Sequence, residues 1–490
     1  MYYKLMDKKE TGQVLKTTTI FGGAQVIIVL SGLAKSKIIA LLIGPAGVGI
    51  STLYNNILTM LSGIIGLGIG LSAIREIAKE EDIEKRLEIA LLTKRLILLL
   101  SVAGFLITFL LSRLLSEIQF GNSQYTSGFC IIALAVAFTI FTTGTDACLK
   151  GFRRTKQIAV ASLYNSLGGV LISACIYYYV GLRGVPYAIV LCAFLSLIIS
   201  WNFSRDIAPY KRDKYTIKET VTQGYPMIIL GIMLVLSYLI DSIVSNVLNI
   251  VIRMKGSIPD VGLYQAGMSI SAMSINMIFV AIANDYYPKL SKYCNNRENM
   301  NATVNSQMYV ATLLIAPILA FMIVFSSLLI RMFLSAEFLD IENFIHWILF
   351  GSLFMVMSWC LYYVPLAFGH SKRFMYISLI KVFMQLLVQI PLFLLGGLVG
   401  LAIGRSITTI VYAIAMYIYV YNIYGVRIKS ENIYLLSIFL ILFVVLIIAK
   451  LESLLILQFV ILLIISVLSL WLLIKNTNII NFIKRKIITK

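Results

Sequence analysis

Five charged side chains stand inside stretches otherwise apolar enough to lie in hydrocarbon, and they limit the chemistry this chain can do. Lys35 and Lys37 interrupt the apolar segment 18–43, Lys381 and Arg405 lie in later apolar segments, and Asp241 stands among Leu239, Ile240, Ile243 and Val244. A lysine inside a membrane-spanning helix costs about 2.5–3.5 kcal/mol on insertion scales. A chain that is 60% hydrophobic has little structural reason to keep one, so the basic residues read as a site for an anion. Asp241 has no oppositely charged neighbour in its own segment. Its partner is Lys35, Lys37, or a transported proton or cation.

Lys35 and Lys37 cannot face the same way, because residues two apart on a helix point about 200° apart. Lys35 shares its face with Ala24, Ser31 and Gly32, and Lys37 shares its face with Leu30 and Leu33. This favours Lys35 as the lumen-facing residue and lets Lys37 snorkel outward. Snorkelling is the competing explanation for either lysine.

Arg75 and Lys289 close two matched helices at the inner mouth. Asp146 with Lys150 and Asp285 with Lys289 are acid-then-base pairs at i, i+4, for which a structural ion pair is the plain alternative to function. The six cysteines are scattered without CxxC spacing, and the two histidines, His346 and His370, lie far apart and read as helix-end residues near water. No metal site, disulfide or cofactor is expected.

The elements that must carry these charges are helices. Fourteen apolar segments of spanning length can be counted: 18–43, 47–74, 94–115, 128–149, 157–180, 184–203, 222–251, 259–287, 303–332, 343–369, 374–396, 400–424, 433–449 and 453–474. They predict an all-α polytopic membrane protein; continuous apolar runs exclude a β-barrel, whose strands alternate. The chain also repeats itself. Val48–Gly49 recurs at Val261–Gly262, GFRRTKQ from Gly151 matches GHSKRF from Gly369, and the GLRGVPYA corner at Gly181 matches GLVGLAIG at Gly397. This near-constant spacing implies duplication.

The organisation that follows is a cytoplasmic arm (1–16), an N-terminal lobe of six helices (17–205), a polar inter-lobe loop (206–220), a second six-helix lobe in parallel tandem (221–425), and two added helices with a basic tail (426–490). The glycine run Gly63, Gly66, Gly68 and Gly70 reads as close helix packing.

The net charge of +19 invites a nucleic-acid reading, but its distribution does not. With the N-terminus inside, 31 of the 41 lysines and arginines fall on the cytoplasmic side and 6 outside, and the remaining 4 lie within spans. That asymmetry places both termini in the cytoplasm and leaves no call for nucleic acid. No outer loop is long enough for a membrane glycosyltransferase or polymerase, and the outer acidic cluster Glu337, Asp340 and Glu342 reads as a solvated loop. The chain is therefore read as a transporter and not an enzyme.

IGPAGVGISTLYNN after a lysine-bearing first span, together with the GLRGVPYA and GLVGLAIG corners, resembles the Wzx-type O-antigen and polysaccharide repeat-unit flippases. These belong to the multidrug, oligosaccharidyl-lipid and polysaccharide (MOP) exporter superfamily, with the MATE antiporters and the MurJ lipid II flippases. The resemblance implies two lobes around a central cationic cavity that binds the pyrophosphate of an undecaprenyl-linked oligosaccharide and opens to each leaflet in turn, in the bacterial inner membrane. It puts Lys37, seven residues before Gly44, ahead of Lys35. Lys35, Lys37, Arg75, Lys289 and Arg405 are then the pyrophosphate residues, and Asp241 is the coupling residue for protons or Na+. Membrane lipid, and possible contact with a polysaccharide polymerase, complete the expected partners. The alternative is a cation-coupled multidrug exporter of MATE type, which the basic in-membrane residues oppose. The fourteen-span count departs from the commoner twelve.

Overall fold

The computed structural model describes residues 8–207, 216–293, 296–368 and 370–476, with the side chains at most of them. Parts of the inter-lobe segment and of the basic tail, and the Asp285 carboxylate, lie outside the described residues.

Every regular element of the described chain is a helix. In order the helices are α1 (Lys8–Ile65), α2 (Ile69–Lys79), α3 (Ile83–Leu110), α4 (Ser112–Phe120), α5 (Thr126–Gly151), α6 (Thr155–Val180), α7 (Val185–Ser204), α8 (Ile217–Lys255), α9 (Ile258–Lys292), α10 (Arg297–Val324), α11 (Ser326–Phe333), α12 (Glu342–Ala367), α13 (Ser371–Tyr424), α14 (Ser430–Leu451) and α15 (Leu455–Asn476). Among the described residues nine stretches are long and apolar enough to cross a membrane. Three of them, Ile27–Ile65, Lys156–Ser204 and Leu379–Tyr424, run to 39, 49 and 46 residues. About 20 residues span the hydrocarbon, so each of these three can cross twice.

The corners that make this possible are glycines. Gly44 bends α1 with φ 60° and ψ −167°, just before Pro45. Gly181, between α6 and α7, has φ 61° and ψ −141°. Gly397, within α13, has φ 58° and ψ −144°. Only glycine adopts this backbone without strain. The two corners matched in the sequence therefore share one conformation.

The segment 47–74, expected as one helix, is broken at Gly66–Gly68, where Leu67 and Gly68 both take positive φ. The break brings backbones together. A Cβ on Gly68 would lie 2.2 Å from the Gly231 carbonyl oxygen, and one on Gly231 would lie 2.3 Å from that of Leu67. This close approach of α8 accounts for part of the glycine run as packing. At their connection α2 and α3 extend past the apolar core, with only residues 80–82 non-helical. Asp82 caps α3 by accepting from Glu84 N at 2.9 Å. Arg86 ties the connection down, donating to the Ile77 and Gly151 carbonyls at 3.1 and 3.0 Å and lying over the Phe152 ring.

The chain divides into two compact units, Met1–Gly262 with Phe333–Ser335, and Leu263–Met332 with Ala336–Lys490. The first unit includes α8, which the repeat assigns to the second lobe. Within the first unit α5 packs between α3 and α7, α1 packs on α6, and α8 packs on α1 and α2. Thr216 starts α8 with a reciprocal cap in which Glu219 accepts from the Thr216 backbone at 2.7 Å, which holds that carboxyl below its usual range. Within the second unit α12 packs on α13, and α10 packs on α12, α14 and α15.

Cysteine placed at Asn122 or Glu337, both exposed, is expected to react with an impermeant maleimide in intact cells, whereas cysteine at exposed Lys85 reacts only after permeabilisation. Labelling at position 85 in intact cells would overturn the positive-inside orientation.

Candidate functional site

Each unit holds a cavity with basic side chains in its wall. In the first, α1, α5, α6 and α7 enclose about 200 Å³ lined by Lys35, Ser51, Asn55, Thr139, Ser173 and Tyr177 among others. Lys35 is half-buried, and among the described residues its Nζ makes no hydrogen bond or ion pair. It points toward α6, where a Cβ on Gly169 would lie 4.0 Å from Nζ. Ser51 and Asn55 reach the wall because they are one turn apart, and Asn55 Nδ2 donates back to the Ser51 carbonyl at 2.8 Å.

The second cavity, of about 420 Å³, lies inside the second unit between α9, α12 and the two arms of α13. Its wall carries Lys381, Gln385, Arg405, Thr409, Trp359 and Tyr412. Lys381 and Arg405 are half-buried, and Lys381 Nζ lies 5.8 Å from the centre of the Tyr412 ring. The Arg405 guanidinium donates no hydrogen bond among the described residues. Among the described residues no aspartate or glutamate lines either cavity. Desolvated cations in acid-free pockets attract anions and repel cations.

Lys37 diverges from Lys35, as residues two apart on a helix must. Its Nζ donates to the carbonyl oxygen of Leu334 instead of reaching free toward an interface. Arg75 is exposed on α2, Lys289 is exposed on α9, and Asp241 is exposed on α8 with no ion pair among the described residues. The structure therefore brings Lys381 and Arg405 together and places Lys35 in a separate cavity. Arg75, Lys289 and Asp241 lie in neither.

Four sequence expectations are corrected. Asp146 is not paired with Lys150; its carboxylate accepts from Ser200 Oγ, which the fold brings across from α7, and Lys150 is exposed. Lys94 and Arg95, counted among the cytoplasmic-side lysines and arginines, are not solvated: they are 2% and 6% exposed, and the Ser204 carbonyl takes the Lys94 ammonium at 2.8 Å with the Trp201 ring over it. His346 is buried and contacts Ser326 Oγ at 2.9 Å, so it is not a residue near water. Glu342 is no solvated loop residue: it accepts from Ser326 at 2.6 Å and pairs with Lys450 of α14 at 3.1 Å. His370 does sit at a helix end, bonded to the Tyr424 hydroxyl at 2.9 Å.

The polar and aromatic lining went unremarked in the sequence. A signal exists for part of it: Lys381 and Gln385, and Arg405, Thr409 and Tyr412, recur at helical spacing in otherwise apolar runs.

The fold is shared with solved transporters. The chain superposes on "Lipid II flippase MurJ, inward closed conformation" with a TM-score of 0.68 at 14% identity, over 92% of this chain and 98% of that one. It superposes on an inward-facing MATE multidrug resistance transporter of the MOP superfamily with a TM-score of 0.64 at 15% identity, over 81% and 94%. By sequence it is 25% identical over 398 residues to the lipid III flippase of Escherichia coli (strain K12), covering 78% of this chain and 92% of that protein, and equally to the lipid III flippase of Shigella flexneri. Residues 38–343 match the family described as "Polysaccharide biosynthesis protein". An all-helical membrane chain with the MOP fold, matching that family over more than half its length, belongs to the polysaccharide biosynthesis protein family.

Proposed function

We propose that this protein flips an undecaprenyl-pyrophosphate-linked oligosaccharide, an O-antigen or other surface-polysaccharide repeat unit, across the bacterial inner membrane by alternating access, with both termini cytoplasmic. The observation that carries the reading is a cavity in each unit whose wall holds a basic side chain and, among the described residues, no acid: Lys35 in one unit and Lys381 with Arg405 in the other. A pyrophosphate cannot enter hydrocarbon bare, and cations in a polar cavity offset its charge while the polyprenyl chain stays in lipid. Lys37, Arg75 and Lys289 complete the basic set, Arg75 and Lys289 acting from exposed helix faces by field. The lipid III flippase relatives and the MurJ fold support the same class of cargo. The MATE-type alternative would want acidic groups for a cationic drug, and among the described residues neither cavity lining offers one.

The test is transfer in proteoliposomes. Protein reconstituted with a lipid-linked oligosaccharide is expected to expose it on the far leaflet, and a deletion strain to accumulate it on the cytoplasmic face. Transfer of cationic dyes without transfer of the lipid would select the drug-exporter reading.

Asp241 is the proposed coupling residue, since inward movement of one charge through the membrane potential supplies about 2.3 kcal/mol per 100 mV. Asp241→Asn is expected to leave protein level near normal and to remove the gradient dependence of transfer. Transport that still responds to an imposed gradient in this variant would take Asp241 out of the mechanism.

A further inference from the structure

A third cavity, of about 320 Å³, shares no lining residue with either cation-lined pocket and lies in the second unit where α14 and α15 meet α10. Its polar wall is Asn305, Ser306, Tyr309, Lys429, Glu431 and Asn432, and Ala302, Val310 and Leu473 complete it. The position is the end of the membrane span: Lys429 and Glu431 flank the first residue of α14, and Leu473 is in the last turn of α15. Nearby Trp471 is 54% exposed, with Lys475 Nζ 4.8 Å from its ring centre, the aromatic and basic signature of a membrane–water interface.

Two features of the wall point to its occupant. Lys429 and Glu431 are exposed, oppositely charged and two residues apart, and among the described residues neither forms an ion pair. Asn305 has both ends engaged, donating to the Asn301 and Arg427 carbonyls at 2.8 and 2.7 Å and accepting from Lys429 N and Asn432 Nδ2 at 2.7 and 2.9 Å. Asn432, 6% exposed, spends its Nδ2 on Asn305 and leaves its own Oδ1 with no donor among the described residues. An unmet buried acceptor beside an unpaired carboxylate asks for a cationic N–H donor, and the adjacent unpaired ammonium asks for an anion.

We propose that this cavity seats the headgroup of an aminophospholipid, with its phosphate on Lys429 and its ammonium on Glu431 and Asn432 Oδ1. A phosphoethanolamine headgroup supplies both charges and three N–H donors. A choline headgroup has the charges without the donors, and a glycerol headgroup lacks the cation. The acyl chains run over the exposed Leu470, Trp471 and Ile474 face of α15. Bound there, the lipid bridges the two added helices to α10.

The test uses the full-length protein in nanodiscs of phosphatidylcholine, doped with phosphatidylethanolamine or phosphatidylglycerol, and reads the melting temperature and the retention of lipid by native mass spectrometry. Phosphatidylethanolamine is expected to raise the melting temperature and to be retained selectively. Lys429→Ala and Glu431→Gln, both exposed, are each expected to weaken that retention by about tenfold, the scale of one charge-assisted hydrogen bond, with melting in pure phosphatidylcholine unchanged. Equal retention of phosphatidylcholine or phosphatidylglycerol, or selective retention surviving both substitutions, would overturn the proposal. So would soluble glycerophosphoethanolamine that reproduces the full rise, since it would assign the site to a free headgroup.

Discussion

Lys35→Ala is expected to weaken binding of the lipid-linked pyrophosphate by about ten- to hundredfold, with Lys35→Arg keeping part of the affinity. The size is that of a hydrogen bond to a charged group, about 1.5–3 kcal/mol, lost from a partly buried site. Lys37→Ala is expected to behave differently, because the Lys37 ammonium already meets the Leu334 carbonyl oxygen. Its loss strands an acceptor and reads out as reduced thermal stability, on the order of 1–3 kcal/mol, ahead of reduced affinity. Arg405→Ala, in the other unit, tests the second cavity in the same assay, with a loss of similar size expected if that cavity takes part of the headgroup. The measurement is binding of the lipid-linked pyrophosphate to the purified variants. Lost affinity in Lys37→Ala with full affinity in Lys35→Ala would transfer the site to Lys37. Wild-type affinity in the Lys35, Lys37 double variant would remove the first helix from substrate recognition.

What the sequence made legible follows from which forces act locally. The all-helical membrane class is legible because hydropathy acts residue by residue, and the corners at Gly44, Gly181 and Gly397 because a positive φ with extended ψ is open only to glycine. Separation of Lys35 from Lys37 needed only helix geometry. The misplaced residues are those whose partners come from far along the chain. Asp146 meets Ser200 from 54 residues away, and Lys94 meets Ser204 from 110 residues away. A local i, i+4 rule promotes the pair Asp146 and Lys150 and has no means of seeing Ser200. Glu342 looked like a solvated loop residue because Lys450, on an added helix with no counterpart in the repeat, could not be placed beside it. The cavity linings were half legible: helical spacing from Lys381 and Arg405 points to their neighbours, but Trp359 arrives from α12 through tertiary packing alone.

Gly68→Ala is expected to be among the most damaging alanine substitutions in the chain, and the other glycines say why. At Gly397 a Cβ would meet nothing within 4 Å, so Gly397→Ala imposes backbone strain alone. With φ 58° and ψ −144° that strain is about 1–3 kcal/mol, and Gly181→Ala, with φ 61° and open space, should match it. Gly231 is ordinary helix, and its Cβ would sit 2.3 Å from the Leu67 carbonyl oxygen, so Gly231→Ala imposes steric displacement alone, about 1–3 kcal/mol. Gly68 carries both penalties. Its φ of 63° is left-handed, costing about 1–2 kcal/mol for any other residue, and its Cβ would sit 2.2 Å from the Gly231 carbonyl oxygen, a backbone atom that no rotamer change can move. The sum is roughly 2–5 kcal/mol. Thermal unfolding of the four single variants in one detergent ranks them, with Gly68→Ala lowest and Gly181→Ala level with Gly397→Ala. A Gly68→Ala protein as stable as Gly397→Ala would mean that α8 does not press on the α1–α2 break, and the close packing of this glycine run would have to be abandoned.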